Sequence, residues 1–505
     1  MAKFYLTTAI DYANGDPHLG HTLEKVGADC LVRYRRLRGD TTYFVMGMDE
    51  HGQKVAMAAE KAGLAPQAWV DQISGRFQST WRALLCSPDD WIRTTEARHR
   101  ASVTEFLRRI QQRNPDALFV GEYEGLYCVG CEEFKQESQL VNGRCVEHPE
   151  RELARMKERN HFFRLSTYGP RILEAIASGA FKVEPEIRRN EVLKVLEGGL
   201  EDVSISRARF PWGIPFPGDS EHTVYVWFDA LINYITAAGF PEAGYDRLWP
   251  ADVHLIGKGI TRLHCCLWPA MLLAAELPLP RQVWAHGYVQ WDGAKVSKSS
   301  GTAVSVESAA ARHGPDALRY FLLREVGLEA DGNFTWERFD ERYTADLADG
   351  LGNLASRSLA MAAKYRNGVV PAAEPDAAFE RVSQERIEAY GKAMDAFDVR
   401  GGAESAWAMV TDANQFIVQT APWALAKEGK EAELDRALGS LARCLYRLAI
   451  MSAPFIPGKA RALWESLGQA GDPEGAGWTS LAEPGIAGAQ TAKPANLFPR
   501  PEPAP

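Results

Sequence analysis

Two histidines near the start of the sequence have the spacing of a phosphate-binding pair. His18 and His21 are three residues apart, so on a helix they would share one face. We expect that helix to begin at Asp16, a good N-cap, with Pro17 in the first helical position. Gly20 would let a flat ring approach the backbone closely. Because a helix N-terminus presents free N–H groups and partial positive charge, this stretch could bind a reacting triphosphate.

A second group of phosphate-binding residues lies far downstream. Lys295 and Lys298 are three residues apart in a stretch rich in serine and glycine, with Ser297 between them. Lysine side chains in such a loop can reach phosphate oxygens as point charges. Each motif alone is more often a solvated turn or a packed helix face than a functional site. The two together, in this order, indicate a nucleotide site.

The two stretches together resemble the HIGH and KMSKS motifs of class I aminoacyl-tRNA synthetases. The first reads His18-Leu19-Gly20-His21, and the second reads Lys295-Val296-Ser297-Lys298-Ser299, with Val296 where the family has methionine. Four further stretches are similar to methionyl-tRNA synthetases: Tyr12-Ala13-Asn14-Gly15, Asp49-Glu50-His51-Gly52, Val226-Trp227-Phe228-Asp229-Ala230 and Asn353-Leu354-Ala355-Ser356-Arg357. This resemblance runs from about residue 4 to about residue 467.

The resemblance implies a methionine–tRNA ligase, which activates methionine with ATP to methionyl-adenylate and transfers it to the 3′ end of tRNA(Met). In the family, the catalytic residues match His18, His21, Lys295 and Lys298. The ATP-binding residues match these four together with Gly20 and Ser297. Magnesium on the phosphates would share their charge.

A methionine pocket is predicted beside the histidine pair. A buried strand over residues 42–47 runs into Asp49, and ligands of open α/β sheets gather beyond the carboxyl ends of strands. Asp49 should therefore lie beside the turn that carries Tyr12, where it could pair with a substrate ammonium group or cap the next helix. The resemblance favours the first role. It implies a pocket formed by ten residues: Ile10, Tyr12, Asp49, Trp227, Leu231, Tyr234, Ile260, Leu263, His264 and Trp268.

Three cysteines and a histidine have the spacing of a structural zinc site. Cys128 and Cys131 form one close pair, Cys145 and His148 form the other, and thirteen residues separate the pairs. Two such pairs on short turns suit tetrahedral zinc, and four protein ligands leave no position open for catalysis. The resemblance agrees, because this family carries a knuckle of this kind in its connective insertion.

The resemblance implies an α/β fold in which a Rossmann-like parallel-sheet catalytic domain carries a zinc-bearing insertion and precedes an all-α helical bundle. The catalytic domain is predicted in two halves, residues 1–115 and 223–302, around an insertion at 116–222. Residues 223–227 and 253–257 are expected to be parallel core strands. The remaining predicted segments are a connecting domain at 303–345, a helical anticodon-binding domain at 346–484 and a disordered Pro/Ala-rich tail at 485–505.

The helical domain is expected to recognise the anticodon. Asn353 and Arg357 lie four residues apart and so share a helix face, and Trp423 follows a helix that contains Asn414. The family reads its anticodon with residues at the positions of Asn353, Arg357 and Trp423. The alternative is that Trp423 packs inside the bundle and Arg357 pairs with a carboxylate. With no further domain recognised after the bundle, the protein is expected to be a monomer.

Composition limits the setting of the protein. The 505 residues carry a net charge of −9, which argues against general nucleic-acid coating but permits a local basic surface for tRNA. Eight cysteines in a chain of this length do not indicate a disulfide framework, so a reducing cytoplasm is expected. Neither a signal peptide nor an apolar run long enough to cross a membrane is recognised.

Three other functions fit the sequence less well. A small-molecule nucleotidyltransferase with a HIGH-type site would have no use for the zinc insertion or the helical bundle. A non-catalytic tRNA-binding paralogue would not need intact histidines and lysines. Synthetases for valine, isoleucine and leucine carry a much larger editing insertion than residues 116–222 can hold.

Overall fold

The computed structural model describes residues 2–129, 133–135, 140–146, 148–208, 210–291, 294–295, 305–492 and 496–500. The strands of this described part are, in chain order, β1 (Lys3–Thr8), β2 (Asp11–Tyr12), β3 (Thr41–Asp49), β4 (Asp90–Arg93), β5 (Leu118–Cys128), β6 (Glu133–Lys135), β7 (Leu140–Val141), β8 (Arg144–Cys145), β9 (Ala154–Phe163), β10 (Lys182–Glu184), β11 (Val203–Ser204), β12 (Ser206–Ala208), β13 (Pro215–Phe216), β14 (Asp219–Val224), β15 (Val253–Gly257), β16 (Gln282–His286), β17 (Val289–Trp291), β18 (Ala294–Lys295) and β19 (Gly332–Phe334).

The α-helices of the same residues are α1 (Leu19–Leu37), α2 (Gln53–Lys61), α3 (Pro66–Ala83), α4 (Ala97–Arg113), α5 (Gly169–Ala177), α6 (Glu186–Glu197), α7 (Val226–Leu231), α8 (Asn233–Thr236), α9 (Trp268–Ala274), α10 (Val306–His313), α11 (Pro315–Phe321), α12 (Trp336–Arg342), α13 (Asn353–Arg366), α14 (Ala377–Asp395), α15 (Val399–Thr420), α16 (Pro422–Glu428), α17 (Glu431–Ser452) and α18 (Pro457–Ser466). π-Helical turns precede α9, follow α11 and join α12 to α13.

A seven-stranded sheet forms the centre of the catalytic region. Its order is β10-β16-β15-β1-β3-β2, with β4 also paired to β3, and every pairing is parallel. Because both faces are covered, β1 is buried from Phe4 to Thr8. The predicted parallel α/β sheet is confirmed, as are its strands at residues 42–47 and 253–257.

The segment 116–222, predicted as the insertion, contributes one strand to this central sheet. β10 is an edge strand that pairs with β16, so the chain returns to the catalytic sheet well before residue 223. The strand has only three residues, of which Val183 is buried. A segment this short has too little periodicity to be recognised in the sequence.

The prediction of a parallel core strand at residues 223–227 is wrong. β14 ends at Val224 and belongs to a separate antiparallel sheet of order β12-β14-β13. From Val226 the chain is helical in α7, which places Trp227 and Asp229 on a helix. A continuous apolar run is compatible with a buried strand or with a buried helix. Here the chain turns after β14 and continues as the helix α7.

The other strands of the insertion are antiparallel, and α5 and α6 also belong to this segment. β5 and β9 pair along ten residues each and lie at the centre of a four-stranded sheet of order β11-β9-β5-β6. Beside it, β7 and β8 form a two-stranded hairpin. These strands position the cysteines of the predicted zinc site.

From about residue 346 to α18 the described chain is helical, as predicted. The leucines of α17 lie on one buried face, which is formed by Leu434, Leu438, Leu441, Leu445 and Leu448. The predicted disorder of the tail is wrong for the described residues 485–492 and 496–500. Ile486, Leu497 and Phe498 are buried, and the hydroxyl of Tyr343 donates a hydrogen bond to Pro499 O at 2.7 Å. Three buried apolar side chains are enough to anchor a segment that is otherwise rich in proline and alanine.

A buried ion pair joins the catalytic region to the helical region. Arg319 on α11 contacts Asp29 on α1 at 2.8 Å, and both side chains are fully buried. The Arg319 guanidinium also donates to Leu84 O at 3.1 Å and to Pro454 O at 2.8 Å. Burial raises the pKa of Asp29, but the guanidinium groups of Arg33 and Arg319 outweigh it and hold that pKa below its ordinary value. The Arg319 side chain therefore pairs with polar groups from three separate parts of the chain.

Among the described residues we find no helix with the length and apolarity needed to span a bilayer.

Replacing Arg319 by methionine should destabilise the whole molecule. Asp29 would be left buried beside Arg33 alone, and breaking a buried pair costs about 3–5 kcal/mol. Urea unfolding followed by circular dichroism measures the loss. Arg108→Gln, which removes an exposed pair with Glu105, is the matched control and should leave the unfolding midpoint unchanged. Equal midpoints for the two variants would contradict the central role of Arg319.

Candidate active site

The histidine motif forms the first turn of α1. The helix begins at Leu19 with His18 as its N-cap, so the predicted start at Asp16 and Pro17 is wrong. The His18 imidazole itself accepts a hydrogen bond from Gly20 N–H at 3.1 Å, which takes the role predicted for the Asp16 carboxylate. Asp16 is exposed and pairs instead with Arg76 at 2.7 Å.

The hydrogen bonds around the two histidines assign their tautomers. Nδ1 of His18 accepts from Gly20 N–H, and Nδ1 of His21 accepts from His18 N–H at 3.3 Å. In each neutral ring the proton therefore lies on Nε2. The two rings stack with their centroids 3.8 Å apart, and His21 also packs against Phe77. The pair thus presents two N–H donors from one rigid unit, as an oxygen-rich anion requires.

A cavity of about 230 Å³ opens beside this pair, at the carboxyl ends of the central strands. His18, Gly20 and His21 line one side of it. The opposite side comes from the segments that follow β15 and β16, and from the turn after β1, through Ile10, Tyr12, Gly257, Gly259, Ile260, His286, Tyr288 and Val289. This is the position where open α/β sheets bind their ligands.

The predicted neighbours Asp49 and Tyr12 are side by side. They are paired residues of β3 and β2, and Asp49 is buried. Trp69 fixes the same turn, because its indole N–H donates to Ala13 O at 2.8 Å. The structure thus places Asp49 next to Tyr12, a residue that lines the cavity.

Three residues of the predicted methionine pocket form a hydrogen-bonded chain. Nδ1–H of His264 donates to Ile260 O at 2.9 Å, and the Tyr234 hydroxyl donates to His264 Nε2 at 2.6 Å. Burial lowers the pKa of His264 to about 4, so this ring is neutral at physiological pH. The chain fixes the segment that carries Ile260 against the cavity.

Trp268 lies behind the cavity and does not line it. It is fully buried, stacks on Phe106, and donates from its indole N–H to His254 Nε2 at 3.2 Å. His254, which the sequence analysis did not single out, in turn bonds Thr7 Oγ1 at 2.7 Å. The only signal of His254 in the sequence is a polar residue within an apolar strand.

Of the remaining predicted pocket residues, Leu231 is buried, and Trp227 and Leu263 are half-buried.

A buried carboxylate ties the methionine-side segments together, which the sequence analysis also missed. Asp229 on α7 accepts from His51 at 2.6 Å and from His99 at 2.7 Å. Burial acts to raise the pKa of Asp229, but the two imidazoles outweigh it and hold that pKa below its ordinary value. The contact joins the segment after Asp49 to the helix that carries Trp227. Asp229 and His51 lie in stretches that carry the family resemblance, whereas His99 does not, and the sequence does not show that the three meet.

A buried lysine, likewise missed, contacts three residues that line the cavity: Ala9, Asp11 and Glu24. Lys25 Nζ contacts Ala9 O at 2.5 Å, Glu24 Oε1 at 2.8 Å and Asp11 Oδ1 at 3.3 Å. Glu24 also contacts the ring of His286 at 3.2 Å. Burial raises the pKa of Asp11 to about 7, even though Lys25 acts against it. For Glu24 the balance is reversed, because burial is outweighed by Lys25 and His286 and the pKa is lowered.

The lysine motif begins at the rim of this cavity. β17 follows directly after Tyr288, pairs with β18, and β18 ends at Lys295. Only the backbone of Lys295 is described, and Ser297 and Lys298 lie outside the described residues. The described strands thus run from cavity-lining residues into the lysine motif.

Three of the four predicted zinc ligands come together. The ligand atoms of Cys128, Cys145 and His148 all lie within 4.8 Å of one another, and Cys128 Sγ is 3.9 Å from His148 Nδ1. Cys131 lies outside the described residues. Two thiols and an imidazole at this spacing fit a tetrahedral zinc ion.

The predicted anticodon residues lie on the surface of the helical region. Asn353 is exposed on the first turn of α13, and Arg357 follows one turn later. Within the described chain, Arg357 has no hydrogen-bond or ion-pair partner, and Trp423 is 47% exposed, so neither has the alternative structural role. A cavity of about 520 Å³ beside Asn353 is lined by α15 residues that include Asn414.

Comparisons with known proteins agree with this geometry. A family model for class I tRNA synthetases (M) matches residues 4–155 and 138–359, and one for the anticodon binding domain of methionyl tRNA ligase matches 368–500. The methionine–tRNA ligase of Thermotoga maritima is 40% identical over 464 residues, which cover 90% of this chain and 73% of that protein. The Streptomyces coelicolor ligase is 39% identical over 528 residues, with 98% and 96% covered.

Solved structures extend the comparison to the fold. Mycobacterium tuberculosis methionyl-tRNA synthetase in complex with methionyl-adenylate matches with a TM-score of 0.93 and 37% identity, over 99% of this chain and 100% of that chain. Its free form matches with a TM-score of 0.87 and 34% identity, over 100% and 99% of the two chains.

The parallel sheet and the histidine motif at its carboxyl edge define a class I aminoacyl-tRNA synthetase. Within that class, the chain belongs to the methionyl-tRNA synthetase family. Its activity is therefore that of a methionine–tRNA ligase. These matches do not favour a small-molecule nucleotidyltransferase or a non-catalytic tRNA-binding protein.

Proposed function

We propose that the cavity beside His18 and His21 is where this chain joins methionine to AMP. The carboxylate of methionine attacks the α-phosphorus of ATP, pyrophosphate leaves, and the acyl group then passes to the terminal adenosine of tRNA(Met). The observation that carries the assignment is the stacked pair of His18 and His21, which lies at the N-terminus of α1 and lines the cavity. This step needs positioning and charge stabilisation more than a covalent protein group.

The ATP site in this proposal has two sides. His18, His21 and the backbone at Gly20 contact the triphosphate from the sheet edge. Lys295, Ser297 and Lys298 bind it from the opposite side, since β17 and β18 lead from the cavity rim into their loop. Magnesium arrives with ATP and neutralises part of the phosphate charge.

The methionine site in this proposal lies on the side of the cavity that Ile10, Tyr12 and Ile260 line. Asp49 supplies the negative charge for the substrate ammonium group. A thioether needs a polarisable and mostly apolar slot, which aromatic and aliphatic side chains provide. We assign Trp227, Leu231 and Leu263 to its wall. Tyr234, His264 and Trp268 hold that wall in place through their hydrogen bonds.

We propose that Cys128, Cys131, Cys145 and His148 hold one structural zinc ion. The convergence of three of these ligand atoms supports the assignment. We further propose that Asn353, Arg357 and Trp423 contact the anticodon of tRNA(Met), because all three lie at the surface of the helical region. A monomer acting in the cytoplasm remains our prediction.

Replacing His21 by alanine should slow methionine-dependent ATP–pyrophosphate exchange by about 100- to 1,000-fold, as expected when one donor to transition-state charge is removed. Methionine affinity, measured by equilibrium dialysis, should change little. Asp16→Asn, in the same turn but paired with Arg76, is the control and should exchange normally. Loss of methionine affinity with an unchanged exchange rate would refute the assignment.

Replacing Cys145 by serine should remove zinc and loosen the strands around it, because the binding free energy of a structural zinc is also folding free energy. Elemental analysis of protein purified without chelators should find this zinc in the wild type. It should also find it in Cys444→Ala, which alters a buried cysteine of the bundle. Equal zinc content in the Cys145 variant and the wild type would show that the ion is held elsewhere.

Replacing Trp423 by alanine should reduce tRNA charging while pyrophosphate exchange stays near normal. A stacked base is worth about 1–3 kcal/mol, which corresponds to a loss of roughly 5- to 150-fold. Trp423→Phe keeps an aromatic face and should recover much of the activity. If exchange and charging fall together in the alanine variant, Trp423 acts on the fold and not on the anticodon.

A further inference from the structure

A second group of metal-ligating side chains lies in the insertion. His161 on β9 contacts Asp219 Oδ2 through Nε2 at 2.8 Å, and His222 on β14 approaches the same oxygen through Nδ1 at 2.9 Å. The three ligand atoms lie within 4.8 Å of one another. The side chains are only partly buried, so an ion can enter from solvent.

The surroundings hold each ligand in a fixed orientation. Nε2–H of His222 donates to Arg159 O at 2.8 Å, which leaves the Nδ1 lone pair of the neutral ring facing Asp219. Metal-binding histidines are typically oriented by a hydrogen bond of this kind from the other ring nitrogen. The ring of His161 stacks on Phe216 with centroids 3.9 Å apart, and Asp219 Oδ1 accepts from Glu221 N–H at 3.2 Å.

The ring nitrogen that faces Asp219 is a second observation that points to a cation. His222 Nδ1 is shielded from solvent and makes no hydrogen bond in the described structure, although a carboxylate oxygen is 2.9 Å away. In the neutral ring its lone pair faces a lone pair of that oxygen. A metal ion coordinated by both atoms removes this repulsion, as a proton on Nδ1 also would.

We propose that His161, Asp219 and His222 form a second metal site, for a divalent transition-metal ion of the zinc and cobalt type. Two imidazoles and one carboxylate are borderline ligands that suit these ions, and three protein ligands leave a position for water. The ion would join β9 of the four-stranded sheet to β14 of the neighbouring three-stranded sheet. β14 leads into α7, so the joint also supports the helix that carries Trp227.

This site is separate from the cysteine knuckle. His161 pairs with Val120 on β5, whereas Cys128 lies eight residues further along that strand. At about 3.3 Å per residue the two sites are roughly 26 Å apart along β5. One ion cannot serve both sets of ligands.

Titration of the full-length protein with Co²⁺, after the zinc of the purified protein has been measured, tests the proposal. We expect one additional Co²⁺ per chain, without the thiolate charge-transfer band that a cysteine site would give. Affinity for this ion should fall by about tenfold or more in His222→Ala and in the near-isosteric Asp219→Asn. Glu221→Gln, an exposed neighbouring carboxylate with no place in the cluster, and Cys145→Ser should both retain the additional ion.

Circular dichroism spectra of the variants establish that the fold is kept, and Asp219→Asn removes the charge with the smallest change of shape. Failure of the wild type to bind a second ion would overturn the proposal. Undiminished binding in both His222→Ala and Asp219→Asn would overturn it as well, because the ion would then be bound elsewhere.

Discussion

The buried pair of Arg319 and Asp29 is the contact on which the arrangement of the two functional regions depends. Burying two charges is expensive, and the cost is offset only when geometry and additional hydrogen bonds satisfy both groups. Here Asp29 also accepts from Ser87 N–H at 2.8 Å, and Arg319 donates to carbonyls beyond α3 and α17. If either charge left this position, the other would remain buried without its partner. The helices α1 and α11 and the bundle must therefore pack together in one way.

Helix α1 makes this constraint relevant to function. Its first turn presents His18 and His21 to the cavity, and Asp29 lies about 15 Å further along the same rigid rod. One turn after Asp29, Arg33 contacts Glu474 beyond α18. The helix therefore fixes the turn that carries His18 and His21 relative to the region that carries Trp423. On the assignments that we propose, this gives tRNA bound at the anticodon a defined position relative to the adenylate, with no need for the anticodon residues to touch the chemistry.

The sequence predicted what depends on local pattern and missed what depends on distant partners. The parallel strands, the leucine face of α17 and the meeting of Asp49 with Tyr12 follow from periodicity and from the rule for strand ends. The start of α1 was misplaced because an imidazole, a less common cap, replaced Asp16. Residues 223–227 were misassigned because an apolar run does not distinguish a strand from a buried helix. The partnership of Asp229 with His51 and His99 spans more than a hundred residues, and no local signal encodes it.

The charged groups below the cavity bear on where an anionic substrate can lie. Lys25 and His286 outweigh the effect of burial on Glu24 and lower the pKa of that carboxyl. Lys25 is fully buried and engaged by Glu24 and Asp11, so its charge is already balanced and is not available to a phosphate. In the site that we propose, the triphosphate therefore lies at the rim, against His18 and His21. The positive charge that it needs then comes from the lysine loop, outside the sheet.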